Sequence, residues 1–160
     1  MKISVTGHRP NKLYGYDIYN QQWTELKNKL KKLLIEFKCD EAITGMALGV
    51  DTIFAIAVLE LKQKGYDIKL HCAIPCQNQS CKWSKESVQL YDTILSKADT
   101  VKLVSDEPYR PALMQKRNEY MVNLADIVIA VWDGSSGGTG NCIKYAQKLR
   151  KKIYRVVPNK

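Results

Sequence analysis

Three short stretches of this 160-residue chain carry residue types that can grip an anion. The first is Thr6-Gly7-His8-Arg9-Pro10, where Gly7 lets the chain turn sharply out of a β-branched run and His8 and Arg9 offer donors. The second runs from Thr44 to Asp51 and places Gly45, Gly49 and small residues at a helix start, where backbone can approach a ligand closely. The unpaired N–H groups of that helix end would favour negative charge. Asp51 is expected to cap the helix, with the acceptance of a ribose hydroxyl as its sharper role. The third stretch, Asp133 to Asn141, is the strongest. Gly134, Ser135, Ser136, Gly137, Gly138, Thr139 and Gly140 precede a helix and predict a phosphate cradle of backbone N–H and hydroxyl groups. It is not a P-loop, because no Gly-Lys-Ser/Thr follows. Nor does it match the dinucleotide fingerprint, which belongs to the first strand–helix turn.

Arg110 and Arg117 complete the positive inventory. Arg117 and Glu119 stand two apart on a helix and do not face each other. Arg117 is therefore expected to point to the sheet edge and hold phosphate through two N–H groups. Tyr109 and Trp132 are candidate stacking surfaces for a base, with a core position equally open to Trp132.

These loops need a frame, and the chain alternates strand and helix patterns throughout. Strands are predicted at Ile3–Thr6, Glu41–Thr44, Ile68–Ile74, Thr100–Val104, Ile127–Trp132 and Ile153–Val157. Ile127–Trp132 is the most apolar and is expected at the centre. Helices are read from Trp23, Leu26, Leu30, Leu33, Leu34 and Phe37, from Val50–Lys64, and from Val88, Tyr91, Ile94, Leu95 and Ala98. Two more carry Met114 to Leu124 and the stretch after Asn141. Short connections predict a mostly parallel sheet with helices on both faces, a Rossmann-like α/β three-layer sandwich forming one domain over 1–160. In such a sheet ligands bind outside the carboxyl ends of the strands, where all three loops fall.

Composition narrows the function classes. No apolar run approaches the ~20 residues that span a bilayer, and the N-terminal stretch is too short for a secretory core, so a cytoplasmic protein without membrane contact is expected. Five cysteines without a secretion signal argue against a disulfide framework. Cys72, Cys76 and Cys81 lack paired metal-ligand spacing, and His71 alternates with Cys72 onto the opposite face, so free thiols and no metal are expected. The net charge of +9 favours anionic partners. Lys27, Lys29, Lys31 and Lys32, and the group from Lys148 to Lys152, read as solvated surface.

Together the three loops, Tyr109-Arg110-Pro111 and Met114 to Met121 resemble the SLOG superfamily, the Rossmann-like group related to Smf/DprA and the Lonely-guy proteins. The nearest likeness is to its YpsA/YoqJ-like branch. The resemblance spans nearly the whole chain and implies a site for a nucleotide or nucleotide derivative. Lonely-guy enzymes hydrolyse the N-glycosidic bond of nucleoside monophosphates with an Arg-Lys-x-x-Met helix and a Pro-Gly-Gly-x-Gly-Thr-x-x-Glu loop. Arg117 and Met121 match the first motif, with Asn118 at the lysine. In the second, Ser136 stands at the proline, Asn141 at the threonine and Lys144 at the catalytic glutamate. A hydrolase would therefore need its carboxylate from Asp51, Glu119 or Asp133.

Three functions follow in order: a sensor or sequestering module for a nucleotide such as an ADP-ribose derivative, a phosphoribohydrolase, and single-strand nucleic-acid binding. The last rests on the likeness to Smf/DprA and on charge, without an RNP-type aromatic motif. No cofactor is implied, and self-association into a homo-oligomer is left open.

Overall fold

The computed structural model describes residues 1–159. In chain order it contains β1 (Lys2–Gly7), α1 (Gln21–Glu36), β2 (Glu41–Thr44), α2 (Val50–Gln63), β3 (Lys69–Ile74) and α3 (Lys85–Lys97). These are followed by β4 (Thr100–Leu103), α4 (Pro111–Leu124), β5 (Ile127–Val131), α5 (Gly138–Lys148) and β6 (Lys152–Val156). A short 3-10 turn, Pro10–Lys12, follows β1.

The strands form a single sheet in the order β4-β3-β2-β1-β5-β6, and every pairing is parallel rather than most of them. The middle places belong to β1 and β2. β5, expected at the centre, lies one position further out, and its complete burial comes from neighbours on both edges and helices on both faces.

Alternation along the strands divides the core. Ile3, Val5, Ala42, Leu70, Cys72, Ile127 and Ile129 join Trp23, Leu30, Phe54 and Val58 beneath α1, α2 and α3. Val128 packs with Val122, Cys142 and Ala146 of α4 and α5, while Ile43 and Ala73 meet Met121 on that same face. Successive strand residues thus feed opposite layers, as the two-residue period requires.

The helix ends follow local chemistry. Asn20 accepts the Trp23 N–H at 3.0 Å and Ser84 accepts that of Ser87 at 3.2 Å, each occupying one otherwise unpaired donor. Pro111 opens α4, where a missing N–H does no harm. The connection from β1 to α1 is held by Trp23, whose Nε1 donates to the Gly15 carbonyl at 2.8 Å and whose ring meets Tyr14 edge-on at 5.0 Å.

Gly49 precedes α2 with φ +93, and a Cβ there would stand 2.6 Å from the His8 carbonyl oxygen. No side chain fits both the dihedral and the space. Gly49→Ala is expected to lower stability by at least ~2 kcal/mol, read as a drop in the urea midpoint with unchanged slope.

Candidate functional site

The strand order reverses at β1: the chain walks outward to β4, then returns to lay β5 on the other side. The helices after β1 and β5 leave towards opposite faces, so their loops part and open a crevice. A cleft of about 430 Å³ opens there, within the size range of small-molecule sites. Thr6, Gly7, His8, Arg9, Asn11 and Lys12 form one wall. Ser135 to Thr139, at the N-terminus of α5, form the other, and Ala47, Asp51, Arg117 and Asn118 line the base.

The glycine loop is held from behind. Asp133 Oδ1 accepts the Ser135 N–H at 2.9 Å and its hydroxyl at 2.6 Å. Asp133 also meets His8 Nε2, through its carboxylate at 3.1 Å and its own N–H at 3.3 Å. Trp132 Nε1 donates to the Ser135 carbonyl at 2.8 Å, and Arg155 stacks on the indole at 4.9 Å. Gly137 then starts α5, whose first N–H groups have no acceptor within the helix and lie along the cleft. Lys12 Nζ reaches within 3.7 Å of where a Cβ on Gly137 would stand.

Beneath the cleft lie two buried groups of opposite charge. Arg117 is 3% exposed and Asp51 8%. Arg117 Nη1 donates to the Gly45 carbonyl and, at 3.5 Å, to that of Ala73, while Nε donates to Asn118 Oδ1 at 2.9 Å. Asp51 accepts the Ala47 N–H at 3.3 Å. Burial pushes the Asp51 carboxyl above the usual carboxylate range, opposed first by Arg117. Burial likewise presses the Arg117 guanidinium below its ordinary value, opposed by Asp51.

This arrangement revises several sequence expectations. Arg117 does reach the sheet edge and lines the cleft, with two of its three nitrogens, Nε and Nη1, already on protein acceptors. Gly49, not Asp51, caps α2, and Asp51 sits in the first turn, folded back onto Ala47. Gly45 and Gly49 are packing positions: the Arg117 guanidinium covers Gly45, its Nε 2.8 Å from a hypothetical Cβ, and Gly49 abuts His8. Gly140 is buried against Trp132 and Ser135, and Gly134 turns towards Arg155. Arg110 is exposed and pairs with Glu107 at 3.1 Å, outside the cleft. Glu119 accepts the Gln115 amide at 3.1 Å, about 200° round α4 from Arg117. Trp132 backs the glycine loop and does not line the cleft. Asn11, Lys12, Tyr16 and Met114 line the cleft without having been singled out. For Asn11 and Lys12 the proline after Arg9 was the one available sign, since it starts the turn that carries them.

Away from the cleft, His71 and Cys72 do face opposite sides of β3. His71 Nδ1 lies 3.1 Å from Glu41 and its Nε2 3.0 Å from the Tyr120 hydroxyl, while Cys72 lies in the opposite core layer. Cys72 and Cys76 are buried and Cys81 is exposed, all as free thiols. No helix among the described residues is long and apolar enough to cross a membrane.

A parallel sheet whose strand reversal opens onto a glycine-loop cleft places the chain among the Rossmann-like α/β proteins. More narrowly, it belongs to the YspA SLOG family, whose model matches residues 3–157. The SPbeta prophage-derived protein YoqJ of Bacillus subtilis (strain 168) is 36% identical over 157 residues, covering 88% of this chain and 92% of that protein. A UPF0398 protein of Brevibacillus brevis is 28% identical over 155 residues, covering 94% of this chain and 81% of its own length. Two solved structures share the fold. DNA processing protein A (DprA) from Streptococcus pneumoniae superposes with a TM-score of 0.68 at 16% identity, and DprA from Helicobacter pylori with 0.69 at 18%. Each match covers 99% of this chain but only 50% and 66% of the respective DprA chain, so this chain spans half to two thirds of their length.

Replacing Arg117 by Met leaves the buried Asp51 carboxylate without its opposing charge and takes from the Gly45 carbonyl one of its two donors, Gln79 remaining. A loss of about 3–5 kcal/mol is expected by chemical denaturation, partly recovered in the Arg117→Met/Asp51→Asn double variant. The raised Asp51 pKa also sets a sign. The folded state holds this proton more tightly than the unfolded one, so its contribution is full below the ordinary value of 3.8 and fades as pH rises through the folded value. Subtracting the pH–stability curve of Asp51→Asn from that of the unaltered chain should reveal this downward slope.

Proposed function

We propose that the cleft binds a nucleotide or nucleotide derivative of the ADP-ribose type, and that the protein acts as a sensor or sequestering module for it. The observation that carries this reading is the N-terminus of α5 opening on the cleft opposite Lys12 and Arg9. Partial positive charge from the helix end and full charge from the side chains meet at one place, which suits a phosphate. The cleft's volume suits a compact phosphorylated guest, and the net charge of +9 favours its approach. Lys144, at the position of the Lonely-guy glutamate, stands exposed on α5, which supports binding without turnover.

A second reading, hydrolysis of an N-glycosidic bond, is favoured by Asp51. Its carboxyl lines the cleft, and burial raises its pKa, as suits a general acid. Glu119, by contrast, is held on another side of α4, and Asp133 supports the glycine loop. Single-strand nucleic-acid binding is a third reading. The solved H. pylori structure concerns single-stranded DNA binding by DprA, and Arg9 and Lys12 are exposed at the cleft.

Isothermal calorimetry against nucleoside mono- and diphosphates and ADP-ribose separates these readings. Binding by one or more members is expected, weakened about tenfold in Lys12→Ala through loss of a charge-assisted contact. No heat from any member at millimolar concentration would overturn the proposal. Chromatographic release of free base, abolished by Asp51→Asn, would favour the hydrolase. Retention of a single-stranded oligonucleotide at moderate salt, without nucleotide binding, would favour the nucleic-acid reading.

A further inference from the structure

The cleft continues beyond its phosphate-facing walls. Arg9, Tyr16, Ala47 and Met114 line both it and a second chamber of about 660 Å³ beneath the connection from β3 to α3. Chemistry changes at that boundary. The first space is lined by glycine-loop backbone, hydroxyls and charges, while the second presents Pro10, Leu48, Trp83 and Tyr109.

The wall of the second chamber is built rather than incidental. Trp83 meets Tyr91 edge-on at 5.2 Å and 89°. The Tyr91 hydroxyl donates to Gln79 Oε1 at 3.1 Å, and Gln79 Nε2 donates to the Gly45 carbonyl at 3.0 Å, the oxygen that Arg117 also holds. Asn78 Oδ1 accepts the Tyr109 N–H at 2.9 Å, tying the segment before α4 to the same wall. Trp83 is therefore tied, through Tyr91 and Gln79, to the Gly45 carbonyl on the floor of the first cleft.

We infer that the second chamber receives the heterocyclic base of a nucleotide whose phosphate lies at Gly137–Thr139, with the ribose crossing at Ala47 and Met114. This assignment rests on the nucleotide reading of the cleft and adds the ligand's orientation and its need for a flat ring. Aromatic side chains stack on any base through its π-face, so the chamber selects for a ring before it selects which ring. Tyr109, 52% exposed, is the lid-side aromatic and Trp83 the anchored one.

Cys81 offers a direct reporter, because it lines this chamber and is exposed while Cys39, Cys72, Cys76 and Cys142 are buried. The full chain is treated with a maleimide alone and with saturating AMP, GMP, CMP, UMP or ribose 5-phosphate, and affinities are measured in parallel. At least one nucleotide should slow Cys81 modification severalfold, whereas ribose 5-phosphate should not. Tyr109→Ala should weaken that nucleotide about tenfold and leave ribose 5-phosphate binding unchanged. Cys81 reacting equally fast under bound nucleotide, or Tyr109→Ala leaving nucleotide affinity intact, overturns the base chamber. In that case binding of ribose 5-phosphate would still uphold the phosphate site. Failure of every probe to bind removes both.

Discussion

A guanidinium withdrawn from water must find acceptors and a counter-charge, and the architecture of this site answers to that demand. Arg117 leaves α4 and crosses beneath the cleft to carbonyl oxygens of Gly45 and Ala73, with Asp51 of α2 supplying the opposite charge. One side chain thereby joins a helix on one face to the chain of β3 and the loop after β2. Gly45 lacks a side chain because the guanidinium occupies the space where one would be. Gln79 uses the same carbonyl from the far side, so the floor of the cleft and the wall of its neighbour share an anchor.

The strand order gives this anchor its place. Because β5 returns beside β1, the loops that diverge are the one carrying His8 and the one carrying Asp133, and those two residues meet across the switch point. The loop after β2 enters only at the edge, through Ala47 and Asp51. Its direction is set by Met46, which adopts a left-handed φ of +58 while fully buried. The likeness to the two DprA structures at 16% and 18% identity is a likeness of this frame.

Much of the frame was legible in the residues, because its elements are signalled by periodicity and punctuation. Each strand and helix was read to within a few residues of its observed bounds, since alternation, apolar stripes and terminal glycines are local facts. Placing β5 at the centre failed because apolar content reports burial, and a strand with neighbours on both edges is buried whatever its rank. The glycine loop after β5 announced itself by composition. The commitments of Arg117 did not, since two of its three acceptors lie 72 and 44 residues away and are backbone oxygens that any residue carries. Lys12, Asn11 and Tyr16 escaped for a related reason: ordinary polar residues become cleft residues only through the turn that carries them. Trp132, open to stacking or to the core in the sequence, has its ring covered by Arg155 and its Nε1 on Ser135, and does not line the cleft.

That indole peg bears on how quickly a guest could be captured. A segment with four glycines among residues 134–140 would ordinarily wander through many shapes and settle only when occupied. Here Trp132, Asp133 and His8 hold its first half by hydrogen bonds in the folded chain, so on the proposed nucleotide reading less chain entropy would be left to lose when a guest binds. Capture would then proceed at the pace of encounter, and selectivity would reside in how long each visitor stays.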